Sequence, residues 1–114
     1  MRSRSADRER GSATAELAVA LPAVALVLAA CLGAIQLGAQ QVRLTDAAAD
    51  AARALARGES LDAAAGIADR VSGGAALEVA RDGPFVCAVL RAGGSGLLSA
   101  IELRSESCAI DGGR

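Results

Sequence analysis

The sequence predicts an α+β fold: a long N-terminal helix with a membrane half and an amphipathic outer half, a short second helix and a small antiparallel β-sheet. Three observations predict it. Residues 17–35 read LAVALPAVALVLAACLGAI, a run of 19 residues without a charge. A helical apolar stripe continues beyond this run, and after Gly58 short alternating segments are separated by glycine-containing turns. We therefore divide the chain into a polar segment 1–11, predicted to be disordered, a helical segment 12–57 and a small α- and β-containing domain 58–114.

The charge-free run has the length and composition of a membrane-spanning helix. About 20 apolar residues cross a bilayer core. Ten Leu, Ile or Val residues lie between Leu17 and Leu37, and together they favour insertion by roughly 5 kcal/mol. The alternative is a buried core helix, but the rest of the chain is too small to wrap it. Four arginines precede the run. They predict that the N-terminus lies on the cytoplasmic side of the membrane and that the C-terminal domain lies outside the cell membrane. Pro22 is a possible kink.

The apolar pattern continues past the membrane segment as one face of an amphipathic helix. Apolar side chains recur at helical spacing and charged ones recur on the opposite face. The apolar positions are Leu37, Leu44, Ala48, Ala51 and Leu55, and the charged positions are Arg43, Asp46, Asp50, Arg53 and Arg57. A continuous helix would run from about Thr14 to Arg57. The alternative is a break near residues 40–45, with Thr45 capping a second helix. Gly58 ends the helix in either case.

The segment after Gly58 predicts one helix and three strands. Ser60 is a suitable N-cap for a helix from Leu61 to Val71, which Gly73 and Gly74 would close. The predicted strands are 77–81, 85–91 and 100–107, with turns at 82–84 and 93–96. Together they predict a three-stranded antiparallel sheet, whose apolar face the outer half of the long helix can cover.

Cys87 and Cys108 are candidates for a disulfide because they lie on neighbouring predicted strands, and so small a domain would gain from a covalent link. Outside the cytoplasm they could oxidise. The best apolar pairing around the turn at 93–96 sets Val86 opposite Leu103 and Ala88 opposite Ile101. That register places Cys87 opposite Glu102, so the disulfide would need a longer loop or a bulge. The alternative is two separate thiols.

The junction before the apolar run carries the strongest functional signal. It reads Arg10-Gly11-Ser12-Ala13-Thr14-Ala15-Glu16. A basic leader, a glycine, four residues, a glutamate and an apolar helix resemble the type III signal of type IV prepilins. The string RGSATAELAVALP is similar to the start of TadE-like proteins, the minor pseudopilins of tight-adherence (Tad/Flp) pilus systems, many of them actinobacterial. The resemblance is specific over about residues 10–40.

The resemblance implies roles for three residues. Gly11 would end the leader that a prepilin peptidase removes, and Ser12 would become the N-terminus and a site for N-methylation. Glu16 would be the fifth mature residue, which in pilins helps assembly. Leu17 stands where Flp pilins usually have Tyr, which argues for a minor subunit. The implied partners are the prepilin peptidase, other pilin and pseudopilin subunits, the membrane assembly platform and the lipid bilayer, with incorporation into a pilus.

The physical chemistry of these residues agrees with the implied roles. Glycine has no side chain, so a peptide at Gly11 can lie extended in a protease cleft. A carboxylate such as that of Glu16 costs about 2.5–3.5 kcal/mol when it is driven to mid-bilayer, so it calls for a partner. The amine of Ser12, on the same or a neighbouring chain, would supply one. The plainer interpretation of Glu16 is an ordinary acid flanking the membrane segment.

Parts of the sequence are also compatible with other classes of protein. Leu28-Ala29-Ala30-Cys31 resembles a lipobox, so the chain could be a lipoprotein cleaved before Cys31. Against this, Glu16 directly precedes the apolar run, and an apolar helix continues after Cys31. A further alternative is a single-pass anchor of unknown role. The absence of His, of paired carboxylates and of a phosphate loop argues against an enzyme, a cofactor or a metal site. A net charge of −1 gives no case for nucleic acid.

Overall fold

The computed structural model describes residues 2–94 and 96–112, with side chains from Arg8 onward. Helix α1 spans Arg2–Ala56 and helix α2 spans Leu61–Ser72. Strands β1, β2 and β3 are Ala76–Asp82, Phe85–Gly93 and Glu102–Ile110, with a short 3₁₀ turn at Gly96–Leu98. The strands form an antiparallel sheet in the order β1-β2-β3. The predicted α+β class is therefore confirmed.

Helix α1 is longer at its N-terminus than the sequence analysis expected. It begins at Arg2 and includes the segment predicted to be disordered. The Oγ1 of Thr14 donates a hydrogen bond to the carbonyl of Arg10, one turn earlier. The helix also passes through Pro22 without a break. Arginine, glutamate and alanine are good helix formers, so a helix that is already nucleated by the apolar run extends into the polar segment at little cost.

The alternative break near residues 40–45 is wrong. Thr45 lies inside α1, where its Oγ1 donates to the carbonyl of Gln41 at 2.9 Å instead of capping a new helix. The helix ends at Ala56, and Gly58, the residue predicted to end it, has φ of 86°. The amide of Gly58 bonds to the carbonyl of Leu55, and the amide of Glu59 bonds to the carbonyl of Ala54. This pair of bonds is a Schellman motif, which satisfies the last carbonyls of the helix.

Helix α2 has the caps that the sequence predicts. The Oγ of Ser60 accepts a hydrogen bond from the amide of Ala63, and Gly73 adopts the left-handed conformation with its amide bonded to the carbonyl of Asp69. Strand β1 then turns into β2 through a two-residue connection in which Gly83 has φ of 57°.

The chain packs as two units, one extending to Ile35 and the other beginning at Gln36. The second unit therefore includes the outer part of α1. One face of that helix covers the sheet, as predicted, and the inner side chains of β2 lie against it. Alanine supplies six of the eight buried residues of this helix face. The buried core residues are Leu44, Ala47, Ala48, Ala51, Ala52, Ala54, Leu55, Ala56, Ala64, Ala68, Val86, Ala88 and Leu90.

Polar contacts hold the two ends of the sheet against α1. At one end, Gln40 Nε2 donates to the carbonyl of Gly93 at 3.0 Å. At the other end, the amide of Gly112 donates to the carbonyl of Ala56 at 3.0 Å. Helix α1 is therefore hydrogen-bonded to the chain at both ends of the sheet.

The predicted register of β2 and β3 is wrong. Val86 lies opposite Ala109 rather than Leu103, Ala88 lies opposite Ser107 rather than Ile101, and Cys87 lies opposite Cys108 rather than Glu102. The physical reason is the connection between the strands. The chain does not turn at residues 93–96; the amide of Gly94 bonds instead to the carbonyl of Ile101. The longer loop moves the pairing by six residues along β3.

Candidate functional site

The candidate cleavage junction lies within α1. Gly11 and Ser12 are both helical, so the peptide between them is not extended in this conformation. A Cβ added to Gly11 would meet nothing within 4 Å, and Gly11 is not among the glycines with positive φ. Glycine inside a helix costs about 1 kcal/mol relative to alanine. Neither packing nor backbone geometry within this chain therefore requires a glycine at this position.

Ser12 and Glu16 lie one helical turn apart on the same side of α1. They line a shallow surface groove with Ala15, Val19, Ala20 and Ala23. Glu16 is exposed, and it makes no ion pair within the part of the chain whose side chains are described. The small side chains of Ala15, Ala20 and Ala23 leave the groove open beside the carboxylate.

The apolar segment that follows is not covered by any part of the chain that the structure describes. The side chains of its large residues are more than half exposed, as Val19 at 76% and Leu26 at 72% illustrate. Helix α1 is long and apolar enough to cross a membrane by length and composition, and its most apolar part is not buried. Removal of so much apolar surface from water requires lipid or neighbouring helices.

A disulfide joins Cys87 and Cys108. The two residues are direct partners across β2 and β3, on the face of the sheet turned away from α1 because side chains alternate along a strand. Cys31 is a free, exposed cysteine in the apolar segment.

One group of side chains resembles a metal site in its spacing alone. Cys87, Glu106 and Cys108 place their ligand atoms within 4.8 Å of one another. Metal ligation by cysteine requires thiolates, whereas both sulfurs here belong to the disulfide. Glu106 instead pairs with Arg104 at 2.8 Å. The chemistry of this group is therefore that of a covalent link in the sheet.

Sequence reasoning missed the loop between β2 and β3. The sequence predicts a simple turn from Gly93 to Gly96, whereas the loop continues to Ile101, and Leu97 within it is fully exposed. The available signal was the pair Leu97-Leu98 within a glycine- and serine-rich stretch. Turn-forming composition alone gives no reason for two large apolar residues there.

The sequence was compared with protein-family profiles, with known proteins and with solved structures. The family profile described as "TadE-like protein" matches residues 11–53, which include Gly11, Ser12 and Glu16. A Mycobacterium tuberculosis protein named "Apoptosis inhibitor Rv3655c" is 38% identical over 98 residues, which cover 83% of this chain and 75% of that protein. No solved structure matches the chain. A relative of this identity and coverage, together with the profile over the junction and the apolar helix, shows that the chain belongs to the TadE-like family, a family of pilus-associated structural proteins.

Proposed function

We propose that this chain is a minor pilin-like subunit of a Tad-type pilus assembly system, which a prepilin peptidase cuts after Gly11. The observation that carries the proposal is the junction itself. A basic segment, an unconstrained glycine, Ser12 and Glu16 follow one another in a single helix, and the uncovered apolar span comes next. Membership in the TadE-like family over the same residues supports it.

Cleavage gives a reason for the glycine at position 11, which the fold of the chain does not require. Peptidases bind the scissile segment extended, so the helix must unwind locally around Gly11 before cleavage. Glycine lowers the cost of that unwinding, because its helical propensity is about 1 kcal/mol poorer than that of alanine. Its missing side chain also leaves room in a protease cleft.

The apolar span would hold the mature protein in the cytoplasmic membrane. Ser12 would then lie on the cytoplasmic side and the sheet domain on the outer side. The Arg-rich start supports this orientation through the positive-inside rule. The disulfide between Cys87 and Cys108 supports it as well, because disulfides persist in oxidising compartments and are rare in the cytosol.

Glu16 would act in assembly through charge. Cleavage frees the amine of Ser12, which lies one turn from Glu16. At the edge of the low-dielectric membrane an ion pair is screened less than in water. An incoming subunit could therefore place its amine against the carboxylate of a subunit already in the fibre. Other pilin subunits and the assembly platform are the partners in this proposal.

The lipoprotein alternative requires cleavage before Cys31. The family profile extends on both sides of that residue, and α1 continues through it into the packed domain. Both observations favour a chain that keeps its apolar helix after processing.

The test is N-terminal sequencing and intact mass of the membrane-extracted protein from cells that contain a prepilin peptidase. The expected N-terminus is Ser12. Gly11→Val should leave the Arg-rich segment attached, whereas Gly38→Val should be processed normally, because a Cβ at that second helical glycine also meets nothing within 4 Å. An acylated chain beginning at Cys31 would establish the lipoprotein alternative. A chain that still begins at Met1 would show that the protein is a membrane anchor that is not processed.

A further inference from the structure

The loop between β2 and β3 presents an apolar tip to solvent. Leu97 is fully exposed, and Ile101 is 40% exposed. Leu98, beside them, is only partly covered. Residues 92–101 contain no charged side chain. A fully exposed leucine in an uncharged loop keeps its apolar surface in water, which is unfavourable.

The loop is a folded structure rather than a slack connection. The amide of Gly94 bonds to the carbonyl of Ile101 at 2.9 Å, and the amide of Ile101 bonds to the carbonyl of Leu98 at 3.0 Å. A Cβ on Gly94 would collide with the carbonyl oxygen of Leu98, so glycine allows the loop to fold back on its own base. The fold therefore holds Leu97 outward.

The base of the loop lies at the end of the domain that the chain enters from the apolar span. Gln40 Nε2 contacts the carbonyl of Gly93, where β2 ends. Gln40 lies four residues after Gln36, where the second unit begins. The opposite end of the sheet is marked by the contact of Gly112 with Ala56, sixteen residues or about 24 Å farther along α1.

Charged side chains lie immediately behind the apolar tip. Arg91 and Glu102 form an ion pair at 3.3 Å across the base of the loop, and Arg104 pairs with Glu106 on β3. An apolar tip followed by a belt of charges matches the order of acyl chains and polar headgroups at a bilayer surface. The charges limit any insertion to the tip itself.

We propose that Leu97, with Leu98 and Ile101, inserts into the outer surface of the lipid bilayer and gives the domain a second contact with the membrane. The inference rests on the proposed anchorage of the apolar span. This contact would fix the orientation of the sheet domain over the membrane before the subunit is extracted into a fibre.

Introduced tryptophan tests the contact directly, since the chain has no Trp or Tyr of its own. The full chain is reconstituted in vesicles of phosphatidylglycerol and phosphatidylcholine, with or without brominated acyl chains that quench tryptophan in contact with them. Three variants are compared: Leu97→Trp in the loop, Leu28→Trp in the span and Leu61→Trp as the matched control. Leu61 is also an exposed leucine, at 56%, but it begins α2 beyond the far end of α1.

The proposal expects Leu97→Trp to show blue-shifted emission and several-fold stronger quenching than Leu61→Trp. Equal quenching of these two variants, with strong quenching of Leu28→Trp, would overturn the loop contact and leave the anchorage intact. Weak quenching of all three would overturn the anchorage and the loop contact together. An intact disulfide in each variant, measured by non-reducing mass analysis, establishes that the domain has folded.

Discussion

Cys87 and Cys108 are direct neighbours across β2 and β3. The disulfide between them closes the β2–β3 hairpin and links two residues that are 21 positions apart in sequence. The sheet that they join buries its inner face against an alanine-rich helix. A core of this kind has little side-chain volume to contribute, since Leu44, Leu90 and Val86 are its largest fully buried members. We therefore expect the covalent link to contribute substantially to the stability of the domain.

We predict that replacing Cys87 and Cys108 with alanine lowers the free energy of opening of the sheet by about 3 kcal/mol, the value for loops of this length. Hydrogen exchange of the β2 amides in detergent-solubilised protein measures this free energy of opening. The control is Cys31→Ala, which should change nothing, because Cys31 is exposed and free. Alkylation of the denatured, unreduced wild type should modify one cysteine out of three; three modified cysteines would contradict the disulfide.

Leu44→Ala should destabilise the same domain by about 2–5 kcal/mol, because it leaves a cavity between helix and sheet. Leu44 is 0% exposed, whereas Val42, two residues earlier in the same helix, is 61% exposed. Val42→Ala is therefore the matched control, with an expected change within about 0.5 kcal/mol. Hydrogen exchange of the β2 amides again gives both values. Equal effects of the two substitutions would show that α1 does not pack on the sheet.

Glu16→Ala should leave membrane insertion and cleavage intact but abolish incorporation into pili or the assembly platform. Glu16→Gln should behave almost alike, because it keeps shape and hydrogen bonding but loses the charge that attracts the Ser12 amine. The measurement is co-purification with pilus components after membrane levels and the Ser12 N-terminus are matched. Asp46→Asn, an exposed acid outside the apolar span, is the control. Normal incorporation of both Glu16 variants would reduce Glu16 to a flanking acid.

In spheroplasts that contain the unprocessed protein, protease added from outside should digest the sheet domain and spare the Arg-rich segment. The reason is that positively charged segments stay on the cytoplasmic side of the membrane. Tags at the two ends of the unprocessed Gly11→Val chain make both outcomes visible on one blot. Permeabilised spheroplasts, in which both tags should be lost, are the control. Protection of the C-terminal tag in intact spheroplasts would reverse the proposed orientation.

Local signals in the sequence determined the elements. The charge-free run and the stripe through Leu44 and Leu55 predict α1, since helical periodicity and length are properties of a contiguous segment. Ser60 and Gly73 predict the ends of α2 because capping involves residues within one turn. The candidate junction at Gly11, Ser12 and Glu16 rests on its resemblance to the start of TadE-like proteins, and the TadE-like profile matches the same residues.

Only the tertiary structure decided the register of β2 and β3. Alternation determines which side chains face the helix, but a shift by any even number of residues keeps every side chain on its face. The apolar pattern thus placed Val86 on the inner face, and only the closed loop from Gly94 to Ile101 set it opposite Ala109 and brought Cys87 to Cys108. The exposure of Leu97 follows from that same loop. Loop closure and long-range pairing depend on contacts between segments distant in the chain, which no local pattern encodes.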